Sequence, residues 1–211
     1  MNYQLQLDKI IETEGKQGKT VLLHSCCAPC SSYVITYLRQ YFQVTVFYYN
    51  PNITEQAEYR KRVEEQKRLI EALNQEGGGY EISFVEGDYL PNTFLELVKG
   101  YETCPEGGER CKLCFRQRLE ETAMMAHKLK SDYFATTLTV SPLKNATILN
   151  ELGLELAKEY DVSYLVSDFK KRNGYKQSIE LSKQYDLYRQ DYCGCAFSKA
   201  ERELQKQKNA E

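Results

Sequence analysis

Val21-Leu22-Leu23-His24-Ser25-Cys26-Cys27-Ala28-Pro29-Cys30-Ser31-Ser32 is an apolar strand running straight into a cysteine-rich loop. Past it, Val34, Ile35, Leu38 and Phe42 recur near helical period, with Ser31 or Ser32 as the expected helix cap. A short, wholly apolar strand handed to a helix through a tight loop opens a unit of a parallel sheet, whose strands are buried on both faces.

The same alternation continues along the chain. Residues 44–49 are β-branched and aromatic and read as a second strand, stopped by Asn50-Pro51-Asn52. Residues 54–76 read as a long charged helix with Val63, Leu69, Ile70 and Leu73 facing inward, ended by Gly77-Gly78-Gly79. A third strand is expected at 80–85, a short helix at 91–98, an irregular Gly- and Glu-rich loop at 100–110 and a helix at 111–130. Strands at 133–139 and 162–166 and helices at 145–160, 177–189 and 196–207 complete the reading. The expectation is one α/β domain over residues 1–211, a three-layer fold with a mostly parallel sheet of about five strands.

In open α/β sheets ligands bind beyond the carboxyl ends of the strands. The first cysteine cluster, the stretch Thr136-Thr137-Leu138-Thr139-Val140-Ser141-Pro142 and the stretch Ser167-Asp168-Phe169-Lys170 each follow a strand. They are expected to meet at one edge and form one site there.

Eight cysteines fall in three groups: Cys26, Cys27 and Cys30; Cys104, Cys111 and Cys114; Cys193 and Cys195. At 211 residues the chain can bury a core without covalent staples. The opening MNYQLQLDK has no apolar signal stretch, and no run approaches a membrane span. A cytoplasmic protein with no membrane partner is expected, where clustered thiols read as metal-binding or catalytic. The net charge of -2 argues against indiscriminate coating of nucleic acid, though not against a local basic face.

Cys111-x-x-Cys114 lies at an expected helix start, where dipole and free N–H groups favour thiolate. Paired with Cys27-x-x-Cys30 it has the spacing of a four-cysteine zinc site. The adjacent Cys26 fits an iron-sulfur cluster better, since a curled loop lets neighbouring cysteines reach different irons. Spacing alone leaves iron-sulfur, zinc and metal-free thiols open. Gly194 permits Cys193 and Cys195 to approach as a small, strained and reducible disulfide, while free thiols or further metal ligands are the alternatives.

Cys104 stands apart from its group as a bystander, His24 reads as a packed strand-end residue, and His127 sits on a helix flank. Basic residues cluster at Arg110, Lys112, Arg116 and Arg118 and at Lys170, Lys171, Arg172 and Lys176. Each set reads as a solvated helix face unless the site draws it in. With Tyr164, Tyr175, Tyr185, Tyr188 and Tyr192, the second set would suit a splayed-out nucleotide.

HSCCAPC, NPNI, PEGGERC with Cys114, TTLTVSP, SDFKK with Gly174-Tyr175, and YRQDYCGC together resemble the QueH-type epoxyqueuosine reductases. The resemblance implies reduction of epoxyqueuosine to queuosine at the wobble position of tRNA by a 4Fe-4S protein. It implies Cys26, Cys27, Cys111 and Cys114 as cluster ligands, Cys193 with Cys195 as a redox-active disulfide, and an additional mononuclear iron for which Cys30 is the candidate. An external electron donor is implied as a partner. Asp168 and Tyr175 are candidate proton donors for the oxygen.

The strand order expected here is also similar to the Rossmann-like adenine-nucleotide alpha hydrolase group. That group's Ser-Gly-Gly-x-Asp-Ser phosphate loop is replaced by HSCCAPCSS, so no phosphate cradle follows the first strand. The competing functions are a zinc-stabilised RNA-binding module, a metal-free thiol-disulfide oxidoreductase and an ATP-dependent tRNA thiolase.

Overall fold

A computed structural model describes residues 2–208. Its first element is a helix, α1 (Tyr3–Glu14), capped by the Asn2 side chain, which accepts the Leu5 N–H. The apolar periodicity of the sequence does not predict this helix. Its buried side is only Tyr3, Gln4 and Leu7, too sparse a stripe to mark a helix by apolar period.

Strand β1 (Thr20–His24) is buried from Val21 onward. Val21 and Leu23 join the core beneath Val34, Ile35, Leu38 and Leu69, while Leu22 joins Phe115, Leu119, Phe134 and Leu149 on the other face. The strand therefore divides two cores, as the centre of a three-layer fold must. Next come α2 (Ala28–Leu38), β2 (Gln43–Tyr48), α3 (Gln56–Glu76), β3 (Ser83–Glu86), α4 (Pro91–Leu97) and α5 (Glu109–Leu129). The remainder is β4 (Tyr133–Thr136), α6 (Ala146–Glu159), β5 (Ser163–Tyr164), α7 (Gly174–Gln184) and α8 (Ala196–Lys208).

The five strands are all parallel, in the order β3-β2-β1-β4-β5. Chain order runs outward from β1 through β2 and β3 on one side and through β4 and β5 on the other. The crevice between the ends of β1 and β4 is thus the topological switch point, where such sheets take ligands. This is the α/β architecture expected from the alternation. No helix among the described residues is long and apolar enough to cross a membrane.

Several boundaries differ from expectation for physical reasons. Strand β4 stops at Thr136 and becomes a 3-10 turn (Thr137–Val140), although the β-branched run reads as strand to 139. The Thr136 hydroxyl accepts the Leu138 N–H and turns the chain there. Strand β5 is only two residues long, and β3 begins at Ser83. Helix α7 starts at Gly174, where an added Cβ would lie 1.8 Å from the Phe169 carbonyl oxygen.

Asp132 ties the entries of the two central strands. Its carboxylate accepts from Lys19 Nζ (2.7 Å) and from the Thr20 N–H and hydroxyl (2.9 Å each), and its own N–H donates to Thr20 Oγ1 (2.9 Å). Burial alone would raise its pKa, but Lys19 and Thr20 hold it below the usual carboxylate range. A folded value below the unfolded one makes this contribution full at neutral pH and lost as pH falls through both values. Asp132→Ala is expected to cost about 2 kcal/mol. Urea titration should show the midpoint falling at unchanged slope, and an unmoved midpoint would refute the tie.

Candidate metal and active site

The loop after β1 is braced from below. Asn50 Nδ2 donates to the Ser25 carbonyl (2.8 Å), and the buried Gln66 of α3 accepts from the Ser25 and Ser31 hydroxyls (2.7 and 2.8 Å). His24 is wholly buried, with Nδ1 3.0 Å from Thr136 Oγ1 and Nε2 3.2 Å from the Tyr49 carbonyl. Burial, with Arg118 nearby, pushes its pKa down to about 3, so it is a neutral packed strand-end residue, as expected.

This bracing curls residues 25–30 so that the sulfurs of Cys26, Cys27 and Cys30 all lie within 4.8 Å of one another. Among the described residues it is the one such group of three metal-competent side chains. Cys27, not Ser31 or Ser32, occupies the cap position of α2, and Pro29 sits in its first turn. The Ser32 hydroxyl instead donates to the Pro29 carbonyl, and the Ser31 hydroxyl, which donates to Gln66, lies 3.1 Å from the Ala28 carbonyl oxygen. Its thiol neighbours Cys26 and Cys30, joined by the Arg62 guanidinium, hold Cys27 well below the usual thiol range, while the same coupling raises Cys30. Across the switch point, the Cys26 N–H donates to Thr137 Oγ1 (3.3 Å), so the turn that ends β4 holds this loop.

Cys111 and Cys114 occupy the first turns of α5, and the Gly107 N–H points at Cys111 Sγ (3.2 Å). Both line a small cavity of about 10 Å³ together with Cys193, Cys195, Arg110, Arg118 and Lys144. Burial pushes Cys114 up to about 12 and Cys195 up to about 11. A larger cavity of about 180 Å³ opens beside it, lined by Cys26, Cys27, Cys30 and Cys193, with Tyr175, Arg189 and Tyr192 among its other walls. Cys193, Glu106 and Lys144 belong to both linings. Seven of the eight cysteines therefore meet around two adjoining cavities. Cys104 lines neither, in keeping with its reading as a bystander.

The Cys193-Gly194-Cys195 turn is pinned on three sides. Arg62 Nη1 donates to the Cys193 carbonyl (3.1 Å), the Cys193 N–H donates to Ser198 Oγ (3.1 Å), and the Ser198 N–H points at Cys195 Sγ (3.3 Å). Gly194 has φ +122°, and a Cβ there would come within 2.9 Å of Ile53 and 3.1 Å of Arg62. Both cysteines are free thiols.

The cations around these thiols are the part sequence reading missed. Arg110 and Arg118 are buried, each 1% exposed, so they leave the solvated face on which Lys112 and Arg116 sit. Arg62 pairs with Glu58 (2.7 Å), Arg110 with Glu201 (3.0 Å) and Lys144 with Glu106 (2.7 Å). Among the described residues Arg118 meets no carboxylate: its Nε donates to the Cys114 carbonyl (3.2 Å) and its Nη2 has no hydrogen-bond partner. Desolvation opposes its charge, but Cys114, Cys193, Cys26 and Cys111 face it and hold its pKa above the ordinary value. A buried guanidinium without a counter-ion, set among thiols, fits an anionic thiolate centre. The all-sulfur donor set suits zinc or iron-sulfur and not a hard cation.

Of the other candidates, Tyr175 lines the larger cavity, whereas Asp168 pairs with Lys170 (3.1 Å) and is not part of that lining. The second basic set is drawn into local pairs, with Arg172 on Asp8 and Lys176 on Glu180. Tyr164 is a core residue against Phe134, not a surface platform. Tyr188 and Tyr192 instead face Lys61 and Arg62 of α3.

The family model described as Epoxyqueuosine reductase QueH matches residues 21–201. A protein of that name from Streptococcus pyogenes serotype M1 is 44% identical over 193 residues, covering 92% of this chain and 75% of the relative. Another from Thermotoga maritima is 37% identical over 194 residues, covering 91% and 95%. The matched span runs through all three cysteine groups and the elements that gather them, and the chain belongs to the epoxyqueuosine reductase QueH family.

Proposed function

We propose that this chain is an oxidoreductase that reduces epoxyqueuosine in tRNA to queuosine. The observation that carries the reading is Cys193 on the wall of both cavities, between the Cys26/Cys27/Cys30 group and the Cys111/Cys114 pair. A relay thiol needs that position.

In this reading Cys26, Cys27, Cys111 and Cys114 hold a 4Fe-4S cluster, and Cys30, turned toward the larger cavity, is available to an additional iron. The bound centre supplies single-electron transfer and a Lewis acid for the oxygen. The chain's own residues do the rest. Cys193 and Cys195 pass from dithiol to disulfide, releasing two electrons and two protons. The epoxide takes up both, its oxygen leaves as water and an alkene is left. An external donor then reduces the disulfide. Arg62 and Ser198 hold the dithiol turn, and Tyr175 on the cavity wall is the candidate proton donor.

At the mouth, Leu143 (71% exposed), Tyr175 (39% exposed) and Arg189 flank the larger cavity, a setting suited to an unstacked nucleotide presented from an RNA loop. Protein purified without oxygen should be brown, carry about four irons and four sulfides per chain for the cluster and about one further iron when the Cys30 site is filled, and convert the modified tRNA when given a reductant. Zinc as the sole metal would overturn the reading in favour of an RNA-binding module. A colourless, metal-free protein that reduces small disulfides would overturn it in favour of a thiol-disulfide oxidoreductase.

A further inference from the structure

Lys144 has no role in the sequence reading. It lies in the loop after the β4 turn, yet its side chain is 6% exposed and lines both cavities. A lysine is rarely buried unless its charge is used, because desolvation of an ion pair offsets much of its attraction. Its Nζ donates to Glu106 Oε1 (2.7 Å), and Ser198 Oγ donates to Glu106 Oε2 (3.1 Å). The same Ser198 hydroxyl accepts the Cys193 N–H. Three separate segments, the loop before α5, the loop before α6 and the start of α8, thus fix one ammonium relative to the dithiol. Of the two cations on the larger cavity, Arg189 is exposed at the rim and Lys144 is the buried one.

We propose that Lys144 is a catalytic residue whose ammonium group donates a hydrogen bond to the epoxide oxygen and stabilises the charge that develops there as the first C–O bond breaks. The inference rests on the reductase reading. Glu106 takes one of the three ammonium donors and orients the others. Electrons and protons balance as before: both C–O bonds break, a carbon-carbon π bond forms, the dithiol becomes a disulfide and the oxygen departs as water. Lys144 stays protonated throughout and acts as a fixed donor.

The test uses metal-loaded protein and modified RNA in single turnover. Lys144→Met should slow the chemical step about 100- to 1,000-fold. RNA affinity should stay within about threefold, with metal content and reduction potential unchanged. The double variant Lys144→Met with Glu106→Gln removes both charges of the pair, so it should fold normally and remain as slow. In Lys144→Ala, methylammonium should restore rate saturably, whereas tetramethylammonium, which has no N–H, should not. Recovery of the wild-type rate in the double variant would make the pair structural and overturn the proposal. So would a shifted potential without a rate loss, which would make Lys144 a counter-charge for the thiol centre. A wild-type protein that reduces no epoxide would instead overturn the reductase reading, and the role of Lys144 with it.

Discussion

Serine in place of Cys193 is expected to leave the metal content intact and to lower epoxide turnover by more than roughly a thousandfold. The backbone around this residue is held independently of its sulfur, through the Arg62 bond to its carbonyl and the Ser198 bond to its N–H. A hydroxyl therefore occupies the same position without disturbing the turn. What disappears is the two-electron couple, because a serine cannot close a disulfide with Cys195. Burial keeps the Cys195 thiol protonated at neutral pH, with its value near 11, so the remaining thiol carries a proton and no partner for its electrons.

The same loss is expected for Cys195→Ser, and no loss for Cys104→Ser, whose sulfur is in neither cavity lining. Visible absorbance, iron analysis and single-turnover conversion of modified RNA check all three. Bleaching of the Cys193→Ser protein on purification would make Cys193 a metal ligand and end its assignment as a relay.

Val21-Leu22-Leu23 is legible as the central strand because burial on both faces demands an unbroken apolar run. The three cysteine groups are legible because thiols at these spacings have few other uses. Thr137-Leu138-Thr139-Val140 misleads: its branched residues favour strand, but the Thr136 hydroxyl turns the chain and delivers Thr137 to the Cys26 loop. The site's charges were not legible at all. Arg62, Arg110, Arg118 and Lys144 look like surface residues, and Arg110 and Arg118 alternate with Lys112 and Arg116, which are exposed or paired at the surface. Helical phase turns Arg110, Cys114 and Arg118 to one buried side, four residues apart, and turns Lys112 and Arg116 away. Only the apolar neighbours Phe115 and Leu119 mark that side in advance, and they do not tell that guanidinium groups share it.

Replacing Arg118 with methionine should have opposite effects on the metal-free and the metal-loaded protein. Without metal, the guanidinium is a buried charge whose one hydrogen bond among the described residues runs to a carbonyl of its own helix. Methionine fills comparable space without that desolvation cost, so the metal-free protein should be as stable as wild type or more stable by about 1–3 kcal/mol. With metal bound through thiolates the site is anionic, and the charge facing Cys26, Cys111 and Cys114 is lost. Unit charges about 6 Å apart at an effective dielectric of about 20 attract by roughly 3 kcal/mol. Removal of that attraction should weaken metal retention at least about tenfold and lower the potential of a one-electron couple by roughly 100 mV. Arg118→Lys, which keeps the charge, should recover much of both. Urea titration of the metal-free protein, chelator competition and a redox titration read the three effects separately. If the metal-free methionine variant loses stability while metal retention and potential stay at wild-type values, Arg118 is a packing residue and the anionic centre has to draw its compensation from Arg62, Arg110 and Lys144, which already have carboxylate partners.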